Sequence, residues 1–325
     1  MNRLTRIGIK IGLLAIVYFV VYGLIQAGVI NDYIQATMAT ICINIILAVS
    51  LNLITGFTGQ FSLGHAGFMA IGAYTTALVT MEYPTTWGFL GGMFLGAILA
   101  AIVGFLIGLP TLRLRGDYLA IATLGMAEII RILLLNFEFT NGAAGLSGIP
   151  AFVGWTWLFV FTVGTIVLVT NFLNSSHGRA SISIREDEIA AESVGINATR
   201  AKTLAFTVGA FFGAIAGGLY ASYFYYIKPD LFGFLKSIDI LVIVVLGGLG
   251  SITGSIIAAI LLALLSTFLQ EVPELRMIIY AFALVAIMIF RPQGLMGSRE
   301  LNFSFLSSSI GSKRGRRPHT PEGAA

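Results

Sequence analysis

Residues 174–202 read NSSHGRASISIREDEIAAESVGINATRAK, a polar island set between long apolar runs. The flanks are at home only in a bilayer, so the island sits in water. It also carries the marks of a folded helix. Ser183 followed three residues later by Glu186 is a capping-box pattern, in which each side chain satisfies an unpaired backbone donor at a helix start. Gly195 supplies a left-handed stop, and Asn197 caps the next helix, which re-enters the membrane near Thr203. The acidic run Glu186, Asp187 and Glu188 favours the positive N-terminal end of such a helix. Ala190, Ala191 and Val194 give its last turns a small, smooth face that fits a groove on another protein. A plain solvated connection is the alternative, and it needs neither caps nor a folded helix.

Composition sets the class. Of 325 residues, 57% are hydrophobic and 10% charged, and the mean hydropathy is +0.92; globular domains carry roughly a quarter charged residues. The expectation is an all-α polytopic membrane protein. The island is too short for a soluble domain, which usually needs at least about fifty residues. Residues 1–300 therefore form one transmembrane domain, and the polar, basic stretch 301–325 is expected to be a disordered tail. Cys42 is the single cysteine, so no internal disulfide forms, and His65, His177 and His319 are too scattered to suggest a metal site.

Taken in order, the first apolar run covers residues 11–30 behind Arg3, Arg6 and Lys10. Its length, and the lack of a small-x-small cleavage site, make it a retained span rather than a signal peptide. Further runs fall at 33–55, 87–109, 118–137, 152–172 and 203–226, each long enough to cross a hydrocarbon core of about 30 Å. Residues 238–268 are too long for one crossing, and GGLGSITGS at 247–255 divides them into a short half and a full span. A last run, 276–290, ends at RPQG.

The stretch GFTGQFSLGHAGFMAIG at 56–72 holds five glycines beside Gln60, Ser62 and His65. Each glycine weakens a helix by roughly 1 kcal/mol, so the spacing predicts a broken or tightly packed segment. Irregular backbone at membrane depth persists only against protein or a water-filled cavity. Asn52, Gln60, Ser62 and His65 are accordingly candidates for lining a path, against the plainer reading that the glycines let helices approach and that His65 bonds between them. Glu128 and Arg131, three apart on one helix face, either line that path or neutralise each other while holding helices together.

Counted with the segment that begins at 56–72 as the third, about ten crossings result, and charge orients them. With the N-terminus cytoplasmic, fifteen of the nineteen Lys and Arg fall on cytoplasmic segments, including Arg113, Arg115, the island and the C-terminal stretch. That is a strong positive-inside bias, and it puts both termini in the cytoplasm.

LNLITGFTGQFSLGHAGFMAIGAY (51–74), RLRGDYLAIATLGMAEIIR (113–131), GLSGIP (145–150), IREDEIAAESVGINATRAKTLAF (184–206), VLGGLGSITG (245–254) and RPQGL (291–295) together resemble permease subunits of bacterial ABC importers for branched-chain amino acids. The resemblance runs from about Asn44 to Gly297 with the motifs in family order. It implies a bacterial inner-membrane subunit that pairs with a second permease, two cytoplasmic ATP-binding subunits and an extracytoplasmic amino-acid-binding protein, with no nucleic acid involved. It also implies that the island is the coupling loop that docks on the ATPase, through Arg185, Glu186, Glu188, Ala190, Ala191 and Gly195. The wider importer pattern is Glu-Ala-Ala, three residues, then Gly. Ala190, Ala191 and Gly195 keep that spacing here, but Ile189 stands at the Glu position and Glu188 lies one place earlier.

No Gly-x-x-x-x-Gly-Lys-Ser/Thr phosphate loop is present, so ATP and its magnesium belong to the partners and this chain binds no cofactor of its own. No pairing of nucleophile and base at intramembrane positions points to an enzyme. Two other readings stay open: a urea or amide importer, whose permeases look alike, and an ion-coupled carrier using Glu128.

Overall fold

The computed structural model describes residues 3–111, 114, 116–269, 278–279, 282, 285 and 294–297. Arg113, Arg115, all of the expected crossing at 276–290 but 278–279, 282 and 285, and the expected tail at 301–325 lie outside the described residues. Eleven α-helices follow one another among those described: α1 (Arg3–Gln26), α2 (Asp32–Asn52), α3 (His65–Glu82), α4 (Thr86–Thr111), α5 (Asp117–Asn136), α6 (Trp155–Asn174), α7 (Ser176–Glu186), α8 (Glu188–Ser193), α9 (Ala198–Phe224), α10 (Phe234–Gly247) and α11 (Ile252–Phe268). A two-residue antiparallel ladder, β1 (Leu146–Ser147) against β2 (Tyr226–Ile227), ties the α5–α6 connection to the end of α9.

Among the described residues, five helices are long and apolar enough to cross a membrane: Asp32–Phe57, Thr86–Thr111, Asp117–Asn136, Trp155–Asn174 and Ala198–Phe224. At 1.5 Å per residue, the 26 residues of the first reach about 39 Å, longer than the hydrocarbon core. The chain is thus an all-α, multi-pass membrane protein.

The centre of the bundle is α3, α4 and α9, drawn together by glycine. A Cβ at Gly72 would lie 2.0 Å from the carbonyl oxygen of Ala214, and one at Gly217 would lie 1.9 Å from that of Met69. Those contacts are with backbone, so only a residue without a side chain lets α3 and α9 meet there. Phe68 and Phe206 close the seam edge to face, with ring centroids 5.5 Å apart. α2 packs on the other side of α9, and α11 and α6 pack on α2.

Two helices break where the glycine pattern predicts. After Asn52 the ladder of α2 slips into a π turn, Leu53–Phe57, and residues 58–64 are not helical. Its freed backbone donors find protein partners rather than water: Gln60 N–H donates to Ile54 O at 3.1 Å, Leu63 N–H to Thr123 Oγ1 at 3.0 Å and Ala66 N–H to Ser237 Oγ at 3.4 Å. The last bond has α10 capping the start of α3. The second break, 248–251, separates α10 from α11, with Gly248 at φ +114° and Gly250 at φ +85°, a left-handed backbone that glycine alone adopts without strain.

The two ends of the bundle are distinct. One gathers the island helices α7 and α8, residues 53–64 and the second break. The other holds Tyr33, which donates to Thr267 O at 3.1 Å, and the β ladder.

Candidate functional site: the island and the two helix breaks

The island folds as two helices rather than one. Ser175 caps α7 by accepting from Gly178 N–H at 3.2 Å, and α7 runs to Glu186. The expected capping box is therefore corrected: Ser183 lies inside α7 and its hydroxyl donates to Ala180 O at 2.9 Å, while Glu186 is the last residue of α7. Asp187 is the cap of α8, accepting from Ala190 N–H at 3.0 Å. An Asp at that position satisfies an orphan donor as well as a Ser does, and the preceding residues continue the first helix because nothing among them stops it. The far end matches expectation. Gly195 at φ +90° closes α8, with Ile196 N–H on Ala191 O at 3.1 Å and Gly195 N–H on Glu192 O at 3.0 Å, and Asn197 caps α9 through Arg200 N–H at 2.8 Å.

The side chains on α8 divide into an inner and an outer set. Ala191 is 4% exposed and packs with Ile184 and Ala198, so it joins the island's own small core rather than an outward face. Ile189 and Val194 are 75% and 76% exposed, and Ala190 is exposed beside them. Glu188 turns inward, its carboxylate 2.6 Å from Lys202 Nζ. The apolar Ile189 thus occupies the outward position that the wider importer pattern gives to Glu.

Arg185, in the last turn of α7, also turns inward. Its Nη1 donates to Gly56 O, in the π turn, at 2.7 Å. Glu186, exposed, stands 3.6 Å from Arg185 Nε. Close by, Asn52 joins the breaks: its Nδ2 donates to Ser251 O at 2.9 Å and Ser255 Oγ at 2.8 Å, and its Oδ1 accepts from Gly250 N–H at 2.9 Å.

The remaining path candidates separate by burial. Gln60, Ser62 and His65 are buried, as is Asn52. Gln60 Nε2 donates to Lys202 O at 3.3 Å, and Ser62 Oγ accepts from Gly64 N–H at 3.3 Å. His65 Nε2 lies 2.8 Å from Ser50 Oγ, and a Cβ at Gly213 would sit 3.0 Å from that nitrogen. Asn52, Gln60 and His65 fasten α2, α3, α9 and α11 to one another, while the bond of Ser62 stays within its own irregular segment. Glu128 and Arg131 are different: their side chains are partly exposed, paired at 2.7 Å, and Arg131 Nη1 reaches Asp230 Oδ1 at 3.2 Å. Asp230 and Lys202 were not singled out as site residues from sequence. Asp230 gave no local signal, because its partner Arg131 lies 99 residues away, and Lys202 meets Glu188 only because α8 folds back on the start of α9.

The model of the family described as branched-chain amino acid transport system / permease component matches residues 33–288. The chain belongs to that family. It is 40% identical over 296 residues to the high-affinity branched-chain amino acid transport system permease protein LivM of Salmonella typhimurium, covering 80% of this chain and 69% of that one. It is 40% identical over 289 residues to LivM of Escherichia coli K12, covering 78% and 68%. To LivH of Salmonella typhimurium it is 26% identical over 286 residues, covering 79% and 92%. Both permease types of the branched-chain amino acid systems are therefore similar to it, LivM more so.

Proposed function

We propose that this chain is the LivM-like permease of an ATP-driven importer, forming with a LivH-like second permease the translocation path for leucine, isoleucine and valine. A binding protein outside delivers the amino acid, and two cytoplasmic ATP-binding subunits supply the energy. The observation that carries the reading is the island: a capped, stopped helix with Ile189 and Val194 turned out to solvent, at the same end of the bundle as both helix breaks. A lone connection between spans has no use for such a face, whereas a partner that docks there can push on the bundle.

The orientation follows from charge. The island end is cytoplasmic, the β ladder end is extracytoplasmic, and about ten crossings put both termini inside. Asn52, Gln60 and His65 lock helices within this chain and Ser62 is buried beside them, so the path runs instead along the partly exposed side of α5 that bears Glu128 and Arg131, closed by the second permease.

The test is reconstitution. The chain is tagged, extracted in mild detergent with its companions, and placed in proteoliposomes with internal ATP and external binding protein. ATP-dependent uptake of radiolabelled leucine, competed by isoleucine and valine but not by urea, is expected. Uptake of urea instead would move the reading to an amide importer. Leucine uptake that survives without ATP and collapses with a protonophore would replace it with an ion-coupled carrier.

A further inference from the structure

We propose that Arg185 is a positioning residue that ties the island to both helix breaks and transmits movement between the docking surface and the spans. The inference rests on the importer reading and adds a residue role to it.

Its geometry is specific. The stem of Arg185 lies against Gly59, where a Cβ would come within 3.3 Å of Arg185 Cγ, and its Nη1 donates to Gly56 O at 2.7 Å. From the other side, a Cβ at Gly250 would lie 2.5 Å from the same Nη1. One side chain thus touches the π turn that ends α2, the irregular segment that follows it, and the turn between α10 and α11. The two breaks are already joined to each other by Asn52, through Gly250 N–H and Ser251 O. Arg185 adds the island to that junction.

A second attachment restrains the same body. Glu188 of α8 holds Lys202 Nζ at 2.6 Å, and Lys202 O accepts from Gln60 Nε2 at 3.3 Å. The island is therefore held to residues 53–64 directly through Arg185 of α7 and, through Lys202 at the start of α9, indirectly from α8. Helix breaks with left-handed glycines are where a bundle changes angle by turning a few dihedrals. A displacement of α7 and α8 pulls directly on the carbonyl of Gly56, beside the pivot at Gly250. A shorter side chain at 185 leaves the docking face of Ile189 and Val194 intact and cuts that connection.

The experiment uses the assembled complex in proteoliposomes and reads radiolabelled leucine taken up per ATP hydrolysed, with co-purification of the ATP-binding subunits measured alongside. Arg185→Gln is expected to keep those subunits while the ratio falls about tenfold or more, as loss of a hydrogen bond from a charged group allows. Arg185→Lys, which retains a charged donor on a shorter stem, restores part of the ratio. Arg185→Met, which keeps the stem against Gly59 and removes only the donors, is expected to lower the ratio as Arg185→Gln does, and it decides the matter if Arg185→Gln does not accumulate. Ile189→Asp is the contrast, and loses the ATP-binding subunits.

An unchanged ratio in Arg185→Gln, or in Arg185→Met where that variant decides, overturns the proposal. So does loss of the ATP-binding subunits from Arg185→Gln as from Ile189→Asp, which would make Arg185 a docking residue. A wild-type complex without ATP-driven uptake fails earlier, and takes the importer reading and this inference down together.

Discussion

Replacing Asn52 by alanine removes the side chain that joins the end of α2 to the second break, and its cost can be worked bond by bond. The two bonds donated by Nδ2, to Ser251 O and Ser255 Oγ, are lost, as is the one that Oδ1 accepts from Gly250 N–H. The consequences are unequal. Ser251 O keeps the hydroxyl and the amide of Ser255 as donors. The Gly250 amide is buried and loses its acceptor. Interhelical bonds in membranes average about 0.6 kcal/mol each, and a buried amide without a partner costs roughly 1–3 kcal/mol. The total is about 2–4 kcal/mol, a factor of about 30 to 1000 in the population of the opened state. Cys42 is a built-in reporter, being the single cysteine and 7% exposed on the same helix. Maleimide labelling is read on this chain's own gel band, at fixed temperature, for Asn52→Ala beside the wild type. Labelling accelerated at least about thirtyfold is expected; acceleration under about threefold would refute the accounting. Asn52→Asp keeps an acceptor for Gly250 but turns a carboxylate toward Ser251 O, so its labelling should be no slower than that of the alanine variant.

Three further outcomes follow from the same contacts. Gly217→Ala sets a Cβ 1.9 Å from the backbone oxygen of Met69, so the chain's level in membranes should fall by an overpacking cost of about 1–3 kcal/mol or more; Gly164→Ala, with nothing within 4 Å, should leave the immunoblot unchanged. Asp187→Ala removes the cap of α8 at a cost of about 1 kcal/mol, and hydrogen exchange in the peptide covering 188–195 should quicken by about fivefold. Arg131→Ala leaves Glu128 and Asp230 without their shared cation, and with roughly 2.5–3.5 kcal/mol for a lone intramembrane charge its leucine uptake and membrane level should both fall below those of Glu128→Gln; equal losses would deny the pairing a role.

Much of the fold was legible because a bilayer makes the code simple. Apolar length marks a crossing, and the five long helices lie where the runs predict them. The glycines of 56–72 and 247–255 also announced the two breaks, since a helix carrying that many unprotected turns persists only where another element takes up its freed donors. The start of the island helix was misread for a local reason. Ser183, Glu186 and Asp187 all sit at plausible capping spacings, and sequence alone does not say which of two overlapping starts wins. Ser175 decides it, by starting α7 eight residues earlier and carrying Ser183 into the helix interior.

The site was less legible, because its chemistry is made of contacts between distant segments. A short motif can report that Asn52 is polar in an apolar setting; it cannot report that its partners are Gly250, Ser251 and Ser255, some two hundred residues later. Sequence likewise groups Arg185, Glu188 and Ala191 together in the expected ATPase coupling, since all three belong to the motif that resembles a coupling loop. The three-dimensional arrangement divides that motif by what each side chain touches. Ala191 packs inward and Glu188 binds Lys202, while Arg185 reaches the π turn; Ile189 and Val194 remain outside. A coupling element needs both faces, one that a partner can grip and one fastened to what must move. Under the proposed function, Arg185 and the Glu188–Lys202 pair supply the fastening, and Ile189 and Val194 the grip.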